Sequence, residues 1–245
     1  MDKFDALNVK ISLIVFDIDG TLTSFNKPIS SEVSAIIRHI EDIGVKIALS
    51  SGKDLSYLKM MSEDLGIKRP IIIAENGCVI ADVANNKEIW LSERTNEIRD
   101  IINKIRNRFS DSLWEQPNKV EYSFFSNKSE RKLELISYAK KVVSQYADKV
   151  HAYVGFGSID VLPINIDKGV ALMQVKKIYG IKKEEVAAVG NGENDIPMFK
   201  EAGLPLIVGK QISYADAMKF NTIIEVLDFL ASKERKARTP KTSDT

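Results

Sequence analysis

Cysteine is almost missing from this chain. Cys78 is the only one, so no internal disulfide can form, and the residue reads as a small packing side chain in a protein suited to a reducing compartment. Neither charge dominates: 35 Lys and Arg stand against 34 Asp and Glu, a formal net charge of +1. That balance lacks the whole-chain field that accompanies nucleic-acid or membrane-surface binding, while leaving a small phosphorylated partner compatible. No apolar run approaches the length needed to span a bilayer, and Met1-Asp-Lys-Phe-Asp-Ala-Leu-Asn has no apolar segment behind a basic one. The expectation is a soluble, cytoplasmic protein, in which the Asn127-Lys-Ser129 glycosylation match is accidental. His39 and His151 fall in no recognisable pattern and are given no role, and there is no internal repeat. Oligomeric state cannot be read from this sequence.

What is present is an alternation of apolar strands and amphipathic helices. The run Ile11-Ser-Leu-Ile-Val-Phe16 is followed by Val33, Ile36, Ile37 and Ile40 at helical spacing, then by Val45 to Leu49, a helix over Asp54 to Leu65, and Ile71-Ile72-Ile73-Ala74. The pattern returns late, with Lys168 to Tyr179 as helix, Val186 to Val189 as strand, Asp195 to Glu201 as helix and Leu206 to Val208 as strand. Near-continuous apolar strands separated by helices predict an α/β fold with a doubly wound parallel sheet covered on both faces. Between the two stretches the texture changes to an α+β insertion. It holds Ile89-Trp90-Leu91, helices over Thr95 to Phe109 and Ser129 to Tyr146, and strands around Tyr122 to Phe125 and Val150 to Val154. The expected organisation is a Rossmann-like core over 1–81 and 159–231, an inserted cap over 82–158, and a disordered Lys/Arg/Ser/Thr-rich tail over 232–245.

Four motifs come after strand-like runs. Asp17 and Asp19, at i and i+2 of an extended segment, project to one side before the turn Gly20-Thr21-Leu22-Thr23, so both carboxylates reach one reacting centre. One can attack and the other shuttle a proton, although an Asp-x-Asp-Gly string also serves as a helix cap and turn. Ser50-Ser51-Gly52-Lys53 precedes a helix, where a hydroxyl and backbone N–H groups can hold phosphate oxygens or merely cap the helix. Lys168 opens a helix, a place where a cation is slightly unfavourable, so that it either faces a compensating anion such as a phosphate or is simply a solvated surface lysine. Gly190-Asn-Gly-Glu-Asn-Asp195 joins strand to helix and offers oxygen ligands at Asn191 and Asp195 for a hard cation such as Mg²⁺. Open α/β sheets bind ligands outside the carboxyl ends of their strands, and all four motifs fall there.

With these residues in view, the chain resembles the haloacid-dehalogenase-superfamily phosphatases, Mg²⁺-dependent enzymes working through an aspartyl-phosphate. Phe16-Asp17-Ile-Asp19-Gly-Thr-Leu-Thr23, Ser51-Gly52-Lys53, Lys168 and Gly190 to Asp195 match that family's four motifs, and the insertion with Glu75-Asn76-Gly77 is similar to the branch with the larger α/β cap. Ile159-Asp-Val-Leu-Pro and Glu193-Asn-Asp-Ile-Pro-Met-Phe199 look most like the archaeal-type phosphoglycolate phosphatases. The resemblance implies Asp17 as nucleophile and Asp19 as general acid and base, with Ser51, Gly52 and Lys168 on the substrate phosphate and Asn194 orienting the cluster. It implies Mg²⁺ on Asp17, Asp19, Asn191 and Asp195, and a small phosphorylated metabolite, 2-phosphoglycolate first, as substrate. The family usually has Asp where this chain has Asn191, which removes a full negative charge from the metal site. The alternatives are a sugar-phosphate phosphatase, a phosphomannomutase-like phosphotransferase, or a weakened phosphometabolite-binding protein. Cap hinges are expected near Ala81 to Ala84 and Gly157 to Leu162, and Trp90, Trp114, Tyr122, Phe124 and Phe125 read as cap aromatics, more often core than substrate box.

Overall fold

A computed structural model describes residues 9–24, 27–155 and 157–238, with side chains described as far as 233. Its first half lays down β1 (Leu13–Asp17), α1 (Ser31–Asp42), β2 (Lys46–Ser50), α2 (Leu55–Leu65), β3 (Ile71–Ala74), β4 (Val79–Asp82) and β5 (Lys87–Trp90). Next come α3 (Asn96–Phe109), β6 (Leu113–Glu115), β7 (Tyr122–Ser126), α4 (Lys132–Val143), β8 (Val150–Gly155) and β9 (Ser158–Pro163). The chain returns through α5 (Lys168–Tyr179), β10 (Val186–Gly190), α6 (Ile196–Lys200), β11 (Leu204–Val208), β12 (Met218–Phe220) and α7 (Ile223–Arg238).

Eight strands form one sheet in the order β12-β11-β10-β1-β2-β3-β4-β5. Pairing is parallel from β12 to β3 and antiparallel across β3-β4-β5, so the α/β expectation holds with a hairpin added at one edge. Along β1 the side chains alternate between the faces. Ile14 and Phe16 pack with Ile37 of α1, Leu58 of α2 and Leu230 of α7, while Leu13 and Val15 pack with Leu172 of α5 and Phe199 of α6. Each fully buried aliphatic side chain contributes about 1.5–3 kcal/mol, so β1, sealed on both faces, is a firm base for the turn that leaves its last residue.

A second, antiparallel sheet has the order β6-β7-β9-β8 and packs its own core against α3 and α4, around Ile101, Ile105, Phe124, Leu135 and Ile159. The strands shift the expected boundaries between core and insertion. Residues 79–90 complete the large sheet, and β9 belongs to the small one, so the chain passes between sheets after Trp90 and after Pro163. The hairpin is obscure in the sequence because Val79-Ile80-Ala81 and Ile89-Trp90 are short apolar runs with no helix between them. The expected tail also needs correction: 232–238 continue α7, with the Lys233 ammonium buried and donating to the Val9 carbonyl at 2.8 Å, while 239–245 lie outside the described residues. No helix among the described residues is long and apolar enough to cross a membrane.

Candidate active site

Asp17 is the last residue of β1, and the chain turns sharply just after it. Gly20 adopts φ 84°, a left-handed conformation that costs a glycine little, and Thr21 swings back to donate its hydroxyl to Asp17 Oδ2 at 2.8 Å. Asp17 Oδ1 accepts from the Lys168 ammonium at 2.7 Å. The same ammonium donates to Asp195 Oδ1, also at 2.7 Å, from the first turn of α5. Lys168 is 1 % exposed, so the compensation its position demands comes from two carboxylates. Burial works to lower its pKa, but the charges of Asp17 and Asp195 outweigh burial and hold it above the ordinary lysine value. Two carboxylates against one ammonium leave one negative charge unmatched in this buried group. Burial first, and the Asp195 charge second, push Asp17 up to about 7 against the lowering effect of Lys168 and Thr21.

Asp195 departs from the expectation of a metal ligand. Its side chain is fully buried and turned into the protein, with Oδ2 accepting from the Asn191 and Gly192 N–H groups at 2.8 and 2.9 Å and Oδ1 occupied by Lys168. A Cβ on Gly190 would come within 2.5 Å of that Oδ2, which explains the glycine. Asp195 therefore shapes the loop after β10 and anchors Lys168, while Asn191 and Asn194 line the open cleft. Asn191 donates its amide N–H to Gln211 at 3.2 Å, and Asn194 donates to Asn76 Oδ1 at 3.0 Å. Asp19 pairs with Lys53 at 2.9 Å, and the Ser51 hydroxyl accepts from the Lys53 N–H at 3.3 Å. Gly52 is required where it stands, since a Cβ there would meet Asn76 Nδ2 at 2.7 Å.

These groups face a cleft between the two sheets enclosing about 690 Å³, part of it open solvent. Asp17, Asp19, Ser51, Gly52, Asn191 and Asn194 form its floor, with Lys168 and Asp195 packed behind. Of the aromatics, Tyr122 and Phe124 are core as expected, Phe125 reaches the cleft, Trp114 is exposed on its edge, and Trp90 sits exposed on the large sheet.

Sequence reasoning assigns no role to the groups that join the two sheets. The Glu75 carboxylate accepts from the N–H groups of Lys119, Val120 and Glu121 at 2.8, 2.7 and 3.3 Å. Asn76 donates to Glu121 at 2.8 Å, and Asn118 donates to Glu121 at 2.7 Å and to the Gly52 carbonyl at 2.8 Å. Burial pushes Glu121 well above the ordinary carboxylate value. Glu75 and Asn76 hold φ of 51° and 50°, strained for residues with a Cβ, and Gly77 comes next at 108°. The Asn76-Gly77 pair, a turn signal, is what the sequence shows of this; the partners, more than forty positions away, are not legible in it.

The oxygen donors on the floor, Asp17, Asp19 and the Asn191 amide, suit a hard divalent cation, and the unmatched negative charge beside them favours one. Among the described residues no three His, Cys, Asp or Glu side chains gather as a metal centre, and the third side-chain oxygen donor on the floor is the Asn191 amide.

Comparison with known proteins gives the family and the fold. A family model described as haloacid dehalogenase-like hydrolase matches residues 14–151 and 104–219. A phosphoglycolate phosphatase of Methanopyrus kandleri is 27% identical over 201 residues, covering 79% of this chain and 82% of that one. A 5-amino-6-(5-phospho-D-ribitylamino)uracil phosphatase of Bacillus subtilis is 29% identical over 222 residues, covering 82% and 85%. Among solved structures, Thermoplasma acidophilum 0175 superimposes with a TM-score of 0.77 at 19% identity, covering 92% of this chain and 99% of its own, a likeness of fold.

Proposed function

The chain belongs to the haloacid dehalogenase-like hydrolases, and from that premise we propose that it is a Mg²⁺-dependent phosphatase of small phosphorylated metabolites acting through an aspartyl-phosphate on Asp17. The observation that carries the reading is the pair of carboxylates at the mouth of β1, with Asp17 backed by Lys168 at 2.7 Å and Asp19 beside it on the cleft floor. The buried ammonium holds Asp17 in one rotamer and offsets charge as a phosphoryl group approaches. Asp17 Oδ attacks phosphorus, and the bond to the leaving oxygen breaks as Asp19 delivers a proton to it. Asp19 then takes a proton from the water that attacks the phosphoaspartate, releasing inorganic phosphate and restoring Asp17. Ser51 and the N–H groups of its turn hold the transferring oxygens, and Asn194, fixed by Asn76, orients the loop opposite.

Asp17, the Asp19 backbone and Asn191 would hold Mg²⁺, which supplies charge neutralisation between carboxylate and phosphate. With both Asp195 oxygens turned into the protein, we leave that residue the structural role of fixing Lys168 and the loop. The names of the relatives make 2-phosphoglycolate the reference substrate. The test is Mg²⁺-dependent phosphate release from p-nitrophenyl phosphate and a panel of small esters. Release that disappears in Asp17→Asn supports the reading, whereas transfer of phosphate to a second metabolite without release would favour a mutase-like phosphotransferase. Release surviving Asp17→Asn would exclude the assigned nucleophile.

A further inference from the structure

The two walls of the cleft differ in charge and in chemistry. Its floor carries the cationic side chain Lys53, paired with Asp19, while the wall built by the small sheet contributes no Lys, Arg or His among the described residues. That wall is instead a grid set by strand register. Ser123 of β7, Asp160 of β9 and Tyr153 of β8 are direct cross-strand neighbours, and so are Phe125, Ser158 and Gly155 two positions along. Residues opposite one another across a ladder point to the same face, and all six line the cleft. The grid thus presents a carboxylate, three hydroxyls (Ser123, Ser158 and the phenol of Tyr153) and two aromatic rings.

Gln116 adds an independent observation. It lines the same wall, and its side-chain oxygen is buried with no hydrogen-bond partner. A buried acceptor without a protein donor is a cost the fold carries unless water or a ligand in the cleft supplies the donor, and a ligand hydroxyl can take that place. Acceptors paired with aromatic faces suit a carbon chain whose hydroxyls donate outward and whose C–H surface packs on a ring. They suit a second anion poorly, since it would meet Asp160 and the Gln116 oxygen on a wall that offers no Lys, Arg or His among the described residues, while Lys53 on the floor is already paired with Asp19.

Building on the phosphatase reading above, we propose that this wall selects the leaving group and that the preferred substrate is a hydroxyl-rich sugar or polyol phosphate rather than a phosphorylated carboxylic acid. Asp160 and Gln116 are the specificity residues, each accepting from a substrate hydroxyl. A site built to bond a hydroxyl rejects a ligand lacking it far more strongly than an apolar pocket rejects a missing methylene, so the selection should be visible in kcat/KM.

The test compares ribose 5-phosphate, glucose 6-phosphate and sorbitol 6-phosphate with 2-phosphoglycolate, 3-phosphoglycerate and phosphoethanolamine, using the full chain with Mg²⁺. At least one hydroxyl-rich ester should exceed 2-phosphoglycolate by about tenfold or more in kcat/KM. Asp160→Leu and Gln116→Leu, each of which removes the acceptor, should each shrink that ratio by about 10-fold or more, largely through KM for the hydroxyl-rich ester, as expected when a donor–acceptor pair is lost. Wild-type preference for 2-phosphoglycolate or phosphoethanolamine, or a ratio unmoved by both substitutions, would overturn the proposal. Calorimetric binding of the same ligands to Asp17→Asn protein reads the wall without turnover. If p-nitrophenyl phosphate and every ester resist hydrolysis, the phosphatase reading fails while the binding order still decides this one. Tighter binding of 2-phosphoglycolate, or no binding of any sugar phosphate, would refute it.

Discussion

Replacing Asp17 by Asn should abolish phosphate release and at the same time stabilise the metal-free protein at neutral and alkaline pH. The buried group Asp17, Lys168 and Asp195 carries one negative charge too many, and Asp17 is raised from 3.8 to about 7 by burial and by Asp195. Comparing folded and unfolded chains gives the sign. Below pH 4 the carboxyl is neutral in both, so its contribution to stability is whole. Between the ordinary value and about 7 the unfolded chain ionises while the folded one resists, and stability drains away until both are ionised. The gap of roughly 3 units corresponds to a ceiling of about 4 kcal/mol at 1.36 kcal/mol per unit. Asn is neutral throughout and keeps an oxygen for Lys168, which remains paired with Asp195.

In EDTA, the difference in unfolding free energy between Asp17→Asn and wild type should therefore grow by about 2–3 kcal/mol from pH 5 to pH 8. For a chain of this size that is a widening of roughly 5–10 °C in melting temperature, readable by calorimetry or dye binding. Mg²⁺ at pH 8 should close much of the gap by stabilising wild type more than the variant. A difference that stays constant or narrows with rising pH would refute the reasoning, and would mean that Lys168 governs Asp17 more strongly than burial and Asp195 together.

Asn191→Asp restores a third carboxylate, so the Mg²⁺ concentration for half-maximal activity should fall by about tenfold. An unchanged Mg²⁺ titration would remove Asn191 from the metal site. Lys168→Met leaves Asp17 and Asp195 facing each other in a buried site and should cost about 3–5 kcal/mol in urea unfolding, with activity lost. Gly77→Ala should cost about 2 kcal/mol or more by the same measurement, because its Cβ would sit 2.2 Å from the Asp167 carbonyl at a φ of +108°.

How much of this is legible in the sequence depends on how far away each partner lies. The carboxylates of β1 can be read because strand geometry alone puts Asp17 and Asp19 on one side, and the parallel sheet because its strands are apolar throughout. Ser30, Asp54 and Asp167 stand as the caps of α1, α2 and α5, each satisfying N–H groups within its own first turn. Asp195 reads as a cation ligand because spacing tells which residues are near a turn but not which way a carboxylate points; two local N–H groups and a distant ammonium capture it. The strands β5 and β9 fall on the other side of the expected boundaries because a short apolar run does not declare its sheet. Glu121 has Asn118 and Ser123 close by in the chain, but what joins it and Asp160 to the large sheet is Asn76, 45 and 84 positions away, which no local pattern shows.

The grip of Glu75 on the bend at 119–121, just before β7, is made to main-chain N–H groups and not to side chains. An attachment of that kind is indifferent to what the receiving segment spells, so long as its amides arrive in order. A foreign insertion grafted between the two crossings of this chain would be accepted by that grip without a matching residue, and would need to bring only the carboxylate of Glu121 and the amide of Asn118 to meet Asn76 and Gly52, while the turn at Glu75 stays the fixed socket.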